Sequence, residues 1–297
     1  MKPNEKLRRA AMRMLRLERR LKGVGGAQLY VREWLPAAAD DTEVKGVVCV
    51  LHGMGEHGER FSHVAERLTS HGIAVVAMDQ FGHGHSSGKR GHMLSIEATV
   101  SEAGLMIADA SSRHPGLPLF LYGHSMGGNI ALNCALRLHP MLTGLILSSP
   151  WLRLAFQPPE VKLWLARRLA SIVPALQQST GLKTEDLYRS GNPHAASIVN
   201  DELYHKKITV RTFLEIQRAG EWAIEHIDEL DVPVLIIHGT ADRITSFEAS
   251  KELAARLGER CAWLPVEGGY HELHNDIDGE HTIVQIIDWI DRRCQNR

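Results

Sequence analysis

Cysteine, net charge and long apolar runs are all scarce in this chain. Four of its 297 residues are cysteine (Cys49, Cys134, Cys261 and Cys294), and no two of them stand in a C-x-x-C pair. That argues against a disulfide framework and against a cysteine-held zinc. Cys49 inside an apolar strand and Cys134 inside a helix read as buried free thiols, which suits a reducing, cytoplasmic setting. The formal net charge of −1 gives no overall reason to expect nucleic acid as a partner. No apolar run is long enough to span a bilayer, and there is no internal repeat or low-complexity tract. The G-x-x-x-x-G-K-[ST] phosphate cradle, the G-x-G-x-x-G fingerprint and H-E-x-x-H are all missing. His83 and His85, with His52 and His57 near them in sequence, invite a zinc reading, but without a ligand pattern they read as glycine-flanked loop histidines. No metal and no other cofactor is expected.

What is present is an ordinary globular composition, 44% hydrophobic and 23% charged. The length suits one large α/β domain or two small ones. The amino terminus stands apart. Residues 2–22 carry nine lysines and arginines against Glu5 and Glu18, with Leu7, Ala11, Met14, Leu15 and Leu21 at helical spacing. Without a central apolar region this is no secretory signal. It reads as a basic amphipathic extension over 1–25, either docked on the domain, resting on an anionic membrane as a peripheral contact, or serving as an organelle transit peptide.

Beyond it, apolar strands alternate with helices. Strands are expected at Ala27 to Trp34, Gly46 to Leu51, Ile73 to Met78, Leu117 to Tyr122, Leu145 to Leu147, Val234 to Ile237 and Ala262 to Val266. Several are apolar on both faces, as in a parallel sheet buried between helices. Helices are expected after residue 58, over Ile96 to Ser112, from Asn129 to Leu138, and over Thr282 to Arg293. From Trp151 to about Glu225 the rhythm breaks. That stretch holds Pro158-Pro159, Pro174 and amphipathic helical segments but no clear buried strand. It reads as a cap (151–225) inserted over the carboxyl edge of a core made of 26–150 and 226–297.

The chemistry centres on Gly123-His-Ser125-Met126-Gly127-Gly128. This Gly-x-Ser-x-Gly follows a short apolar strand and opens a helix. Such a turn lifts one hydroxyl, that of Ser125, above the sheet edge. The competing reading is a glycine-rich turn with an ordinary serine. A serine hydroxyl needs a base, and the base needs an acid to orient it. In a fold built on this turn the order along the chain is serine, acid, histidine. Asp242 stands in the loop after one apolar strand and His271 in the loop after the next. An aspartate after a strand is often only a cap, and one loop histidine among 17 means little alone. His274 competes with His271 for the base, and Asp276 and Asp278 are remote competitors for the acid. The backbone N–H groups of Met54 and Met126 are the candidate oxyanion donors.

Taken together these residues resemble the monoacylglycerol lipase and lysophospholipase branch of the α/β-hydrolase superfamily. The matching pieces stand in order: His52-Gly-Met-Gly-Glu-His57 with Arg60-Phe61, Asp79 with Gly82-His-Gly-His-Ser86, Pro115-Gly-Leu-Pro118, Gly123 to Gly128, Gly239-Thr-Ala-Asp-Arg243 and Tyr270-His-Glu-Leu-His274. The likeness covers about 26–292, is weakest in the cap, and does not include the basic extension. It implies an α/β-hydrolase fold with a mostly parallel central sheet flanked by helices and a helical cap. It also implies that His271 is the base, and that Glu56, Arg60 and His274 line a polar end that holds glycerol. The cap residues Leu152, Leu154, Phe156, Leu163, Trp164 and Leu165 could line an apolar groove for an acyl chain, although plain packing accounts for most such residues.

The expected activity is hydrolysis of monoacylglycerols to fatty acid and glycerol through an acyl-enzyme, with no cofactor. The alternatives are a lysophospholipase or broader carboxylesterase with the same triad, or a non-catalytic binding protein on the same scaffold. Peptidase and haloperoxidase relatives fit the Glu56, Arg60 and His274 trio less well. The expected partner is a small lipid ester and not nucleic acid. Chain-length preference and oligomeric state leave no mark in the sequence.

Overall fold

The computed structural model describes residues 14–37, 44–192, 198 and 200–295. In chain order its strands are β1 (Met14–Lys22), β2 (Gln28–Pro36), β3 (Gly46–Leu51), β4 (Ile73–Met78), β5 (Leu119–His124), β6 (Gly144–Ser148), β7 (Gln177–Ser179), β8 (Lys207–Thr209), β9 (Val234–Gly239) and β10 (Cys261–Val266). Its α-helices include α1 (Ser62–Thr69), α2 (Ile96–Arg113), α3 (Met126–Leu138), α4 (Glu160–Ile172), α5 (Thr184–Leu187), α6 (Val210–Glu225), α7 (Phe247–Leu257) and α8 (Gly279–Gln295). An eight-stranded sheet has the order β1-β2-β4-β3-β5-β6-β9-β10. From β4 to β10 all neighbours are parallel, while β1 and β2 run antiparallel at one edge.

Period-two burial builds the two faces of this sheet. Val47, Cys49 and Leu51 point to one side with Val76, Leu121, Leu147 and Ile236, where α2, α3, α6 and α7 cover them. Val48 and Val50 point to the other with Val75, Phe120, Ile146 and Ile237, under α1 and α8. Both faces being apolar explains why these strands carry unbroken runs of branched residues.

The basic amino-terminal segment departs from the sequence expectation. Residues 14–22 form a strand, not a helix, and pair with β2 from Met14 opposite Pro36 to Lys22 opposite Gln28. They belong to the central sheet and not to a separate extension. Met14, Leu17, Arg19 and Leu21 are half-buried on this edge strand, and Leu21 packs on the core. Leucines and arginines at this spacing suit either period, and the free edge of β2 decides between them. Two of the arginines are engaged: Arg19 with the buried Glu33 (2.7 Å) and with Asp109, and Arg16 with Glu18 (2.6 Å) and Glu59 (2.8 Å). Leu7, Ala11 and the rest of 2–13 lie outside the described residues. Among the described residues no helix is long and apolar enough to cross a membrane.

Between β6 and β9 the chain forms α4, α5 and α6 and the short antiparallel pair β7/β8, a pairing that the sequence did not announce. This segment does not all stand clear of the core. α6 packs on α3, where Asn129 Nδ2 donates to Ile216 O (3.0 Å) and Asn133 Nδ2 to Ala219 O (3.1 Å).

The loop after β4 is tied to the edge of the sheet by one buried carboxylate. Asp79 accepts from the N–H groups of Gly58 (2.7 Å) and His85 (2.8 Å) and pairs with the buried Arg32. Gly84 must be glycine: its φ is +49°, and a Cβ there would lie 2.1 Å from Asp79 Oδ2. The histidine–glycine–histidine run is thus a packing device around Asp79. Breaking a buried ion pair from one side strands the other charge. The Asp79→Asn variant should therefore lose about 3 kcal/mol of stability in urea denaturation.

Candidate active site

Ser125 sits between β5 and α3 with φ 53° and ψ −117°, a strained conformation for any side chain other than glycine. The turn survives because its surroundings fix it. Ser125 donates its N–H to Ser148 O on β6 (3.0 Å), and its carbonyl accepts from Gly128, Asn129 and Trp151 at 3.0, 3.2 and 2.9 Å. The helix can start this close to the sheet because residue 127 is glycine. A Cβ there would lie 2.1 Å from Leu51 O at the end of β3.

His271 follows β10 and Asp242 follows the neighbouring β9, so both emerge on the edge where Ser125 stands. His271 Nε2 lies 2.9 Å from Ser125 Oγ, and His271 Nδ1 lies 2.8 Å from Asp242 Oδ2. The sequence competitors are elsewhere. His274 packs its ring on Phe61 (4.6 Å between centroids), and Asp276 pairs with Arg189 (2.7 Å). Asp278 pairs with the same arginine (2.8 Å).

Four supports of Asp242, from three residues, were not found in the sequence. Its Oδ1 accepts from the N–H groups of Ile244 (2.7 Å) and Thr245 (3.1 Å). Its Oδ2 accepts from the Thr245 hydroxyl (2.8 Å) and lies 3.1 Å from His238 Nε2. The His238 ring is turned by Ser250, whose Oγ lies 2.7 Å from Nδ1. Burial opposes the Asp242 charge, but the facing His271 and His238 and these donors hold its carboxyl far below the usual range. His271 shows the same balance with the opposite charge: burial disfavours the imidazolium, yet the Asp242 carboxylate raises its pKa above the ordinary 6.5. His124, whose ring centroid is 5.0 Å from that of His271, is pushed down to about 3 by burial and by His271, so it stays neutral.

The Met126 N–H opens α3 beside Ser125. Met54 follows Gly53, where a Cβ would come within 3.3 Å of Ser125 Cβ. Among the described residues neither amide donates to a protein acceptor, so both can serve an incoming oxygen.

A cavity of about 330 Å³ opens at Ser125. Its lining includes the apolar Leu154, Phe156, Leu163, Ile208 and Phe213 and the polar Glu56, Gln178, Ser179, Thr180, Tyr204 and Glu272. The expected lining residues divide. Glu56 reaches the cavity. Arg60 and His274 do not line it; they stand behind the wall, because side-chain direction and not spacing decides which residues face in. Leu152 is fully buried in the core, and Trp164 and Leu165 are 56% and 50% exposed, so these three also drop out of the lining.

Arg60 instead organises the wall. Its Nε donates to Glu56 Oε1 (3.0 Å), and its Nη2 donates to Glu272 Oε2 (2.9 Å) and the Tyr188 hydroxyl (2.6 Å). Burial and the Glu272 charge push Glu56 up, whereas Glu272 is held low against its burial, by Arg60 above all. Glu272, next to His271 in the chain, was missed because nothing local showed which way it points.

The strain at Ser125 can be measured apart from any chemistry. Ser125→Gly should be more stable than Ser125→Ala by about 1 kcal/mol, because glycine alone relieves the positive φ. Paired urea melts of the two variants check this.

The profile of the family described as serine aminopeptidase, S33 matches residues 42–278. A monoacylglycerol lipase of Mycolicibacterium smegmatis is 29% identical over 276 residues, covering 93% of this chain and 97% of that protein. The crystal structure of Paleococcus ferrophilus monoacylglycerol lipase superposes with a TM-score of 0.80 at 31% identity, covering 89% of this chain and 99% of that one. An abhydrolase domain-containing protein of Dictyostelium discoideum is 33% identical over 282 residues; the match covers 90% of this chain but 28% of that longer protein. The chain therefore belongs to the serine aminopeptidase S33 family of α/β-hydrolases, in its monoacylglycerol lipase branch, and is a carboxylic ester hydrolase.

Proposed function

We propose that the chain hydrolyses monoacylglycerols to a fatty acid and glycerol through an acyl-enzyme on Ser125. The observation that carries this reading is the hydrogen-bonded line from Ser125 Oγ through His271 to Asp242, placed at a cavity lined by both apolar and polar side chains. The acyl chain lies along Leu154, Phe156, Leu163 and their neighbours, and the glycerol hydroxyls face Glu56. Arg60 acts from behind by fixing Glu56, and His274 by packing against Phe61.

In the first half-reaction Ser125 Oγ bonds to the ester carbonyl carbon while His271 Nε2 takes the hydroxyl proton. Asp242 keeps Nδ1 protonated and offsets the imidazolium charge. The carbonyl oxygen becomes an oxyanion between the N–H groups of Met54 and Met126. The bond from carbon to the glycerol oxygen then breaks, and that oxygen receives the proton from His271. In the second half-reaction water attacks the acyl carbon, gives its proton to His271, and the fatty acid leaves as Oγ is reprotonated. This chemistry needs no cofactor. In this reading residues 151–225 cap the site, and entry of substrate passes between cap and core.

Ser125→Ala should abolish hydrolysis of 1-monoacylglycerol, by a factor on the order of 10⁴ or more in kcat, with an unchanged circular dichroism spectrum. Turnover near that of the parent enzyme would sink the proposal. The pH profile tests the base separately. Only the neutral imidazole accepts a proton, and its pKa is raised. The acid limb of kcat/KM should therefore lie above pH 6.5, the ordinary histidine value. Asp242→Asn removes the cause of that rise, so the limb should shift to lower pH while kcat falls on the order of 10³–10⁴-fold.

A further inference from the structure

We infer that Glu272 makes the cavity a charge filter, accepting uncharged hydroxyl-bearing alcohol groups and rejecting anionic ones. This rests on the reading of the cavity as the place where the ester's alcohol half sits.

Glu272 is 2% exposed and lines the cavity immediately beside the base His271. Three donors converge on one of its oxygens: Arg60 Nη2 (2.9 Å), the Tyr188 hydroxyl (2.6 Å) and Asn275 Nδ2 (2.7 Å) all reach Oε2. Among the described residues nothing donates to Oε1. The carboxylate is thus held in place by one oxygen and has acceptor capacity left on the other. A substrate hydroxyl is a donor and matches that oxygen. A phosphate at neutral pH offers only acceptors and a like charge there.

The cation beside Glu272 does not reverse this. Arg60 spends Nε on Glu56 and Nη2 on Glu272 and Tyr188, and its Nη1 is 3.9 Å from a third carboxylate, that of Asp201. One guanidinium therefore faces three carboxyl groups and does not itself line the cavity. Among the described residues no lysine or arginine lines it at all. A site built to take a phosphomonoester would present such donors to the ligand. Discrimination of this kind works by placing a repulsive group against the wrong partner as well as an acceptor for the right one.

The test compares three esters of one chain length on the full-length protein: 1-dodecanoylglycerol, its 3-phosphate, and dodecanoylcholine, which is bulky but cationic. The expected result is that the wild-type kcat/KM for the glycerol ester exceeds that for the phosphate by about tenfold or more, with the choline ester penalised less than the phosphate. In Glu272→Gln the gap between glycerol ester and phosphate should shrink at least about fivefold, through a lower KM for the phosphate. Equal wild-type turnover of glycerol ester and phosphate overturns the filter. So does rejection of the choline ester as strong as that of the phosphate, which would make size the cause. An unchanged gap in a folded Glu272→Gln removes Glu272 from the role. If that variant does not fold, the wild-type panel alone still decides whether charge is filtered. Failure of the wild type on all three esters would instead overturn the functional reading beneath it.

Discussion

The strained turn at Ser125 is the constraint on which the rest depends. A non-glycine residue at φ 53° persists only where its surroundings leave no alternative. Here those surroundings are the whole central sheet. β6 receives the Ser125 N–H, and the first turn of α3 presses on the end of β3 where only glycine fits. The parallel sheet then sets the other partners. Strands β9 and β10 end on the same edge, so the loops after them deliver Asp242 and His271 to the exposed hydroxyl.

Around that hydroxyl the protein buries several ionisable groups. Asp242 is tolerated because two amides, a hydroxyl and two imidazoles surround it. Glu56 and Glu272 are tolerated because Arg60 bridges them. A buried ion pair is weak evidence for stability, since its desolvation offsets much of its attraction. These groups are better understood as orienting devices. The Asp242 cluster fixes one ring, and the Arg60 cluster fixes one wall. Tyr188, Asp201 and Tyr204, all from the segment between β6 and β9, touch the second cluster, so that segment and the core share one polar network.

Much of this was legible in the sequence because local signals coincided. Ser125 was marked by its glycines, the strand before it and the helix after it. Asp242 and His271 were marked by position after consecutive apolar strands. What stayed hidden depends on non-local pairing or on side-chain direction. β1 has leucines and arginines that suit a helix as well as a strand, and only the open edge of β2 selects the strand. His238 lies within an apolar strand and gave no sign that its ring turns toward Asp242. Glu272 sits beside His271 in the chain, yet no pattern shows that it faces the cavity. Arg60 and His274 show the converse, since they belong to the expected polar end but stand behind its surface.

The central claim is that the Ser125 hydroxyl, and no other, is made nucleophilic by His271. Mass-spectrometric mapping of the adduct formed with a fluorophosphonate ester tests it most directly. The account predicts a single modified serine, Ser125, and loss of that adduct in His271→Ala. Labelling at a different serine, or undiminished labelling of Ser125 without His271, would contradict it.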